Sequence, residues 1–267
     1  MSSPEAPANL LAPEADAIDV DAVLANFARD GYARVGRVAS EEALAALRAR
    51  ADEIMLGQVT YPGLFFQIDT ETGKYDDLTY GHGWQGPSLN YRKIEKLERD
   101  PIFEAWMNNA VFERILRRRI EGDIAIYRAI LMGKRARGGT VLPWHQDGGL
   151  FWGLDRDPIL QIWTALDDSP IEAGCVEVLP GSHKEGLATP LGGVIPDEHV
   201  RRRSAAERAL PLPARAGEAI LLHNHVWHRS LTNTTGRTRR AFSTCYMSAA
   251  TKCTRKKRAP REFVRVF

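Results

Sequence analysis

The sequence predicts a mainly β fold with α-helices packed around it. From about residue 124 onward, short apolar segments of strand length alternate with clusters of Gly, Pro and Asp, whereas the preceding part of the chain has helical spacing. This pattern indicates a β-sandwich or a jelly roll, with the early helices on its outside. The predicted strands cover residues 124–132, 159–166, 175–179, 218–227 and 239–247.

The first 120 residues supply the helices. Apolar residues at helical spacing predict a helix over 19–28, and alternation predicts a strand over 31–40. Ser40, followed by two glutamates, is a helix-start signal for a second helix that continues over 43–56. Residues 93–120 are predicted to form two further helices.

Loops and chain ends complete the organisation. Residues 57–92 and 182–217 are rich in polar residues, Gly and Pro, so we expect loops that act as lids or substrate walls. The acidic, Pro/Ala-rich residues 1–17 are expected to form a flexible tail. Residues 18–250 are expected to form a single domain, and 251–267 a basic, solvated terminal segment.

Bulk properties are those of an ordinary globular protein. The 267 residues carry a net charge of +2, which does not indicate a nucleic-acid partner. No apolar run approaches the length needed to cross a membrane, and the N-terminus lacks the features of a signal peptide. We therefore expect a cytoplasmic monomer or homodimer without a membrane or nucleic-acid partner.

A candidate metal site begins in the segment Trp-His-Gln-Asp-Gly. Residues two apart on a strand point to the same side, so His145 and Asp147 can offer a nitrogen and an oxygen to one ion. A third ligand is available from His223, His225 or His228. Two histidines and one carboxylate leave positions open for a cosubstrate and O₂, as in Fe(II) oxygenases, and the HExxH helix of zinc hydrolases is absent.

Several sequence blocks then occur in a characteristic order. These are Trp-His-Gln-Asp-Gly (144–148), Ile-Trp-Thr-Ala-Leu-Asp-Asp (162–168), Gly-Cys-Val-Glu-Val-Leu-Pro-Gly-Ser-His (174–183), His-Arg-Ser (228–230) and Arg-Arg-Ala (239–241). Together they make the chain, over about residues 18–250, resemble the phytanoyl-CoA dioxygenase family of Fe(II)/2-oxoglutarate oxygenases. The resemblance implies a double-stranded β-helix, the cupin-like form of the jelly roll, as the core.

The resemblance also assigns the third metal ligand and a cosubstrate site. In the family pattern the distal histidine precedes a Ser by two positions and an Arg by eleven, which His228, Ser230 and Arg239 satisfy. The implied role of Arg239 is to bind the distal carboxylate of 2-oxoglutarate in bidentate fashion, a geometry that suits a planar guanidinium. Ser230 would add a hydroxyl hydrogen bond.

Four further residues are implied to border the cosubstrate. The family pattern places Trp163 and Gln146 beside it, and ungapped alignment back from the Trp-His-Gln-Asp block adds Lys93 and Ile130. The implied cofactors are Fe(II), 2-oxoglutarate and O₂, with ascorbate helpful in vitro. Succinate and CO₂ would be released.

The expected outcome is hydroxylation of an unactivated C–H bond of a small-molecule substrate. Related halogenases replace the carboxylate ligand with a small residue, whereas this chain has Asp147. Desaturation or ring closure by the same cofactors, a non-catalytic metal-binding jelly roll and a zinc-dependent or cupin-like enzyme are the alternatives. Arg128 stands where ectoine hydroxylases have a Gln, which argues against ectoine and predicts a substrate with an anionic group.

Overall fold

The structure, a computed structural model, describes residues 6–256 and 261–267. Its strands and helices follow the predicted division into a helical first part and a β-rich second part. The α-helices are α1 (Val20–Asp30), α2 (Glu41–Met55), α3 (Pro101–Met107), α4 (Ala110–Leu116) and α5 (Asp197–Arg202). The strands are β1 (Tyr32–Arg37), β2 (Phe65–Ile68), β3 (Tyr91–Glu95), β4 (Ile124–Lys134), β5 (Leu142–Gln146), β6 (Leu160–Ala165), β7 (Val176–Leu179), β8 (Gly193–Val194), β9 (Leu210–Leu212), β10 (Glu218–His223), β11 (Trp227–Ser230) and β12 (Arg239–Ser248).

The strands form two antiparallel sheets. The larger sheet has the order β1-β10-β6-β12-β4-β3-β2, and the smaller has the order β8-β5-β11-β7-β9. Apart from β2, β3 and β4, which are consecutive in the chain, neighbouring strands are distant in sequence, because the chain crosses repeatedly from one sheet to the other. The predicted jelly roll with flanking helices is confirmed.

The main hydrophobic core lies outside the jelly roll, between the helices and the larger sheet. Phe242 and Tyr246 of β12 point outward into this core, where they join Phe27 of α1, Leu44 of α2 and Phe103 of α3. A smaller apolar cluster lies between the two sheets and includes Trp163, Val176, Val178 and Ile220. Among the described residues, no helix is both long and apolar enough to cross a membrane.

The prediction of two helices over 93–120 was correct for only part of that range. Lys93 lies on β3, which pairs with β4, and the helices α3 and α4 begin only at Pro101 and Ala110. Tyr91 and Ile94, the apolar residues of the segment Tyr91–Glu95, lie three positions apart, which also suits a helix. The segment contains too few residues to distinguish a strand from a helix by periodicity. The predicted loop regions 57–92 and 182–217 also contain the short elements β2, β8, α5 and β9.

Residues 6–17 of the expected flexible tail pack on the domain, whereas most of the described side chains after residue 251 are exposed. Leu11 forms a β-bridge with Ala39, and the side chain of Ala15 is fully buried, so residues 6–17 pack on the domain. Near the C-terminus, Arg265 bridges Ala125 of β4. Residues 1–5 and 257–260, which belong to the same two predictions, lie outside the described residues.

A buried carboxylate connects the helices to the loop before β2. Asp100 is the N-cap of α3, where its Oδ1 accepts hydrogen bonds from the backbone nitrogens of Ile102 (3.0 Å) and Phe103 (3.2 Å). Its Oδ2 accepts a 2.7 Å hydrogen bond from the hydroxyl of Tyr61 and lies 3.5 Å from Nε of the buried Arg50 on α2. One side chain therefore caps a helix and neutralises a buried cation.

We expect Asp100→Ala to lower the free energy of unfolding by about 3 kcal/mol, because it removes the cap and leaves the guanidinium of Arg50 buried without Asp100. Chemical denaturation monitored by circular dichroism measures this change. The matched control is Asp19→Ala, which removes the exposed N-cap of α1 and should cost about 1 kcal/mol. Equal losses in the two variants would contradict the role of the buried ion pair.

Candidate metal centre and active site

Strand pairing brings the predicted metal ligands together. His145 on β5 and His228 on β11 are directly paired residues, and the centroids of their rings lie 3.9 Å apart. Asp147 follows the end of β5, and its Oδ2 lies 3.6 Å from Nε2 of His228. One ligand atom from each of the three residues lies within 4.8 Å of the other two, so the group can hold a metal ion.

Backbone carbonyls orient both imidazoles. Nδ1 of His145 lies 2.9 Å from the carbonyl oxygen of Pro143, and Nδ1 of His228 lies 2.9 Å from that of Val226. When Nδ1 carries the proton and donates to these carbonyls, the lone pair of Nε2 remains free for coordination. The donor set, two neutral nitrogens and one carboxylate oxygen, suits Fe(II).

Electrostatics favour the ligand forms of these side chains. Burial, together with the charge that His228 would carry, lowers the pKa of His145 to about 3, so its imidazole is neutral at physiological pH. Burial acts to raise the pKa of Asp147, but His228, His145 and Arg128 outweigh it, and the resulting pKa is below the usual value. Asp147 therefore remains a carboxylate inside the site.

Gln161, which was not among the residues predicted from the sequence, contacts a candidate metal ligand. Its Nε2 donates a 2.7 Å hydrogen bond to Oδ2 of Asp147, and its Oε1 accepts a 2.8 Å hydrogen bond from the hydroxyl of Ser243. Because an ionised carboxylate can only accept, the amide nitrogen of Gln161 faces Asp147, and this contact holds the carboxylate in its orientation. A signal was available, since Gln161 lies two residues before Trp163 and alternation puts both on one face of β6.

His223 and His225, the other two histidines considered as the third ligand, lie outside the metal group. His225 faces Asp157, with 3.1 Å between Nε2 and Oδ2, and Asp157 in turn accepts a hydrogen bond from the backbone nitrogen of Gly149. His223 stacks on Phe27 and has its pKa lowered to about 3 by burial and by neighbouring histidines. These two residues support the loop after Asp147 and the contact with α1.

Gly149 allows two loops to approach each other next to the metal group. A Cβ atom at this position would lie 2.7 Å from the carbonyl oxygen of Leu191 and from the nitrogen of Gly192, and the φ angle of Gly149 is +79°. A residue with a side chain would therefore be strained and would collide with the backbone. Gly149 therefore permits the close contact between the two loops.

Arg239 begins β12, and Ser230 ends β11. Arg239 is 3% exposed, and its Nη2 donates a 2.8 Å hydrogen bond to the carbonyl oxygen of Gly174, while its Nε is buried without a partner among the described residues. Ser230 is also buried. A buried guanidinium with unused donor capacity suits the carboxylate of a ligand.

The strand register places Trp163 and Ile130 on the metal-facing side of the larger sheet. Ser243 pairs with Trp163 on one side and with Ile130 on the other, and directly paired residues point to the same face. That face also carries Gln161, which contacts Asp147. Both residues therefore lie on the face that carries Gln161, and their contact with the cosubstrate stays a prediction.

Gln146 points the other way, contrary to its expected place beside the cosubstrate. Its Nε2 donates to the carbonyl oxygens of Gly186 (2.8 Å) and His225 (2.6 Å), and its Oε1 accepts from the nitrogen of Ala188 (2.7 Å). Adjacent residues on a strand point to opposite faces, so His145 and Gln146 cannot both face the metal. The amide of Gln146 instead holds the loop after residue 185.

Lys93 lies in a charged cluster near Asp147. Its Nζ is 2.7 Å from Oε1 of Glu95, and the same oxygen is 3.4 Å from Nη2 of Arg128. The guanidinium of Arg128 also lies over the ring of Trp152, 5.5 Å from its centroid. Two cations thus share one carboxylate, and the cluster has a net positive charge.

The sequence of this chain matches a family model and known relatives. The family model described as phytanoyl-CoA dioxygenase (PhyH) matches residues 27–241. Phytanoyl-CoA dioxygenase domain-containing protein 1 of Bos taurus is 28% identical over 159 residues, which are 57% of this chain and 54% of that protein. The match thus spans only about half the length of that relative.

Two crystal structures share the fold. EctD from S. alaskensis, with 2-oxoglutarate and 5-hydroxyectoine, superimposes with a TM-score of 0.69 at 21% identity, covering 91% of this chain and 82% of that one. The 2-oxoglutarate-dependent carbocyclase SnoK from nogalamycin biosynthesis also gives 0.69, at 20% identity, covering 98% and 100%. The family model covers most of the sequence, including the metal group and Arg239, and the chain therefore belongs to the phytanoyl-CoA dioxygenase family.

Proposed function

We propose that this protein is an Fe(II)- and 2-oxoglutarate-dependent oxygenase that hydroxylates an unactivated C–H bond of a small metabolite. The observation that carries the proposal is the buried group of His145, Asp147 and His228, together with a buried Arg239 in the same inter-sheet space. When bound, iron and 2-oxoglutarate would supply the oxidising power, and O₂ would provide one oxygen atom to succinate and one to the product.

The protein's own residues would hold and orient these groups. Nε2 of His145, Nε2 of His228 and the carboxylate of Asp147 would bind the metal, and Gln161 would keep the carboxylate in its orientation. Arg239 would bind the distal carboxylate of the cosubstrate. Ser230, Trp163, Ile130 and Lys93 are proposed to complete the cosubstrate surroundings.

Ring closure and desaturation remain the second candidate, because the neighbouring structure SnoK is a carbocyclase. Mass spectrometry of the product separates the two outcomes. Hydroxylation adds one oxygen atom to the substrate, whereas desaturation and ring closure each remove two hydrogen atoms. A product that has lost two hydrogens would replace the proposed hydroxylation with this alternative.

We expect the purified protein, supplied with Fe(II), ascorbate and 2-oxoglutarate, to release succinate even without substrate, and His145→Ala to abolish this release. Metal binding, measured by calorimetry with Ni(II), should weaken by more than about 100-fold in the variant, since a ligand is lost. His199→Ala, a histidine on α5 outside the site, is the control and should bind metal normally. Unchanged metal affinity in His145→Ala would refute the proposed centre.

For Gln161→Leu we expect a folded protein with metal affinity reduced about 10- to 100-fold, which is the usual cost of losing an outer-shell hydrogen bond. The reduction should be smaller than that of His145→Ala in the same titration. Thr140→Val removes a buried hydroxyl outside the metal group and is the control for general effects of a buried polar loss. Metal affinity equal to that of the unsubstituted protein would show that Gln161 does not orient Asp147.

We further propose that the substrate carries an anionic group that binds Arg128. The support is the net positive charge of the cluster formed by Arg128, Lys93 and Glu95 close to Asp147. A succinate-release screen of carboxylates, amino acids, phosphonates and neutral metabolites would identify the substrate class. Stimulation by neutral compounds alone would contradict this proposal.

On the substrate found by that screen, Arg128→Ala should raise KM about 10- to 100-fold, the range expected when a hydrogen bond between charged groups is lost. Succinate release without substrate should persist in this variant. Arg117→Ala, which removes an exposed arginine after α4, is the matched control and should leave KM unchanged. An unchanged KM in Arg128→Ala would exclude the role.

A further inference from the structure

Four residues of β4 face the interior between the two sheets. The pairing of β4 with β12 is regular from Arg239↔Lys134 to Cys245↔Arg128, so Lys134, Met132, Ile130 and Arg128 share one face. Cys245 pairs with Gln161 on its other side, and Gln161 contacts the metal ligand Asp147. Lys134 is therefore on the metal-facing side of the larger sheet, at the end occupied by Arg239.

Lys134 is buried, and its amine has no carboxylate within ion-pair distance in the described part of the chain. The residue is 5% exposed, and its Nζ donates a 2.6 Å hydrogen bond to the carbonyl oxygen of Thr140. In the described part of the chain it forms no ion pair. The nearest acidic group, Asp69, uses its Oδ1 to accept from the nitrogen and the hydroxyl of Thr140.

The charges around Lys134 disfavour an ammonium in the protein alone. Burial is the largest effect, and the positive charges of Arg239 on β12 and Arg92 on β3 add to it, while Asp69 acts in the opposite direction. Together they lower the pKa of Lys134 to about 6. An anion placed beside Lys134 and Arg239 would reverse this balance, because an opposite charge favours the protonated amine.

Gly174 lies where Lys134, Arg239 and the end of β11 meet. Its carbonyl oxygen accepts the hydrogen bond from Arg239. A Cβ at Gly174 would lie 2.1 Å from the carbonyl oxygen of Leu231, the residue after Ser230, and 3.2 Å from Cδ of Lys134. The buried side chains of Arg239 and Lys134, from two different strands, thus both approach Gly174 beside the end of β11.

A guanidinium and an amine buried side by side without a counter-ion indicate a site that an anion completes, because the burial of an unpaired positive charge is strongly unfavourable. We infer that Lys134 acts with Arg239 as a second cationic contact for the distal carboxylate of 2-oxoglutarate, and so selects a dicarboxylate over a 2-oxo acid that lacks that group. This inference rests on the proposed function. It concerns a residue that has no place among the ligands suggested by the sequence.

The competing explanation is structural, since the hydrogen bond to Thr140 also holds the loop before β5. The two explanations differ in what a substitution changes. Loss of a structural tie lowers the free energy of unfolding and affects all ligands alike. Loss of a carboxylate contact weakens only ligands that carry the distal carboxylate.

The test is calorimetric titration of the Ni(II)-loaded protein with 2-oxoglutarate and with 2-oxopentanoate, which has a methyl group in place of the distal carboxylate. We expect Lys134→Met to weaken 2-oxoglutarate binding about 10- to 100-fold and to change 2-oxopentanoate binding less than about 3-fold. Lys184→Met, an exposed lysine, should change neither. Equal losses for both ligands, or none, would overturn the inference.

A measurement on the unsubstituted protein decides the question if Lys134→Met does not fold. Titration at pH 7.5 in two buffers of different ionisation enthalpy gives the protons taken up on binding. Because a carboxylate raises the pKa of an adjacent amine, 2-oxoglutarate should cause uptake of a substantial fraction of one proton that 2-oxopentanoate does not cause. Equal uptake for both ligands would overturn the inference.

The same titrations separate this inference from the function on which it rests. If the unsubstituted protein binds no 2-oxoglutarate, the proposed function and the role of Lys134 fail together. If it binds 2-oxoglutarate well and Lys134→Met keeps the preference for the dicarboxylate, only the role of Lys134 fails.

Discussion

The pairing of β5 with β11 is the constraint on which the rest of the site depends. It sets His145 directly opposite His228 and leaves Asp147 just beyond the strand, where the carboxylate can turn back toward both imidazoles. A slip of one residue would move each histidine to the other face of the sheet. The bonds of Gln146 to the backbone on the outer side work against such a slip, because they are satisfied in only one register.

The location of the main apolar core explains why the space between the two sheets can hold so many polar groups. Helices α1 to α4 cover the outer face of the larger sheet and form the most extensive apolar cluster there. The space between the sheets therefore does not have to supply most of the hydrophobic stabilisation. It can accommodate the metal ligands, Gln161, Arg239 and Lys134, whose burial costs free energy unless each charge is matched.

The sequence predicted the local features well and the long-range ones only in part. The histidine–carboxylate spacing and the strands from residue 124 onward follow from alternation, which is a property of neighbouring residues. Gln146 was expected at the site because the resemblance implied it, although alternation puts it on the face opposite His145. Gln161 was not predicted, although alternation puts it on the same face as Trp163. Likewise, the Ala- and Pro-rich composition of residues 6–17 suggested a tail, although Leu11 and Ala15 pack on the domain.

The contact at Gly149 has a consequence for how substrate preference can change in this family. The nitrogen of Phe151 bonds to the carbonyl of Leu191 (3.2 Å), and that of Leu150 bonds to Pro190 (3.0 Å), so the segment after the metal motif and the segment around residue 191 share hydrogen bonds. Neither segment can be lengthened or exchanged alone without disturbing the turn that carries Asp147. Loop grafting between relatives is therefore expected to require the transfer of both segments as one unit.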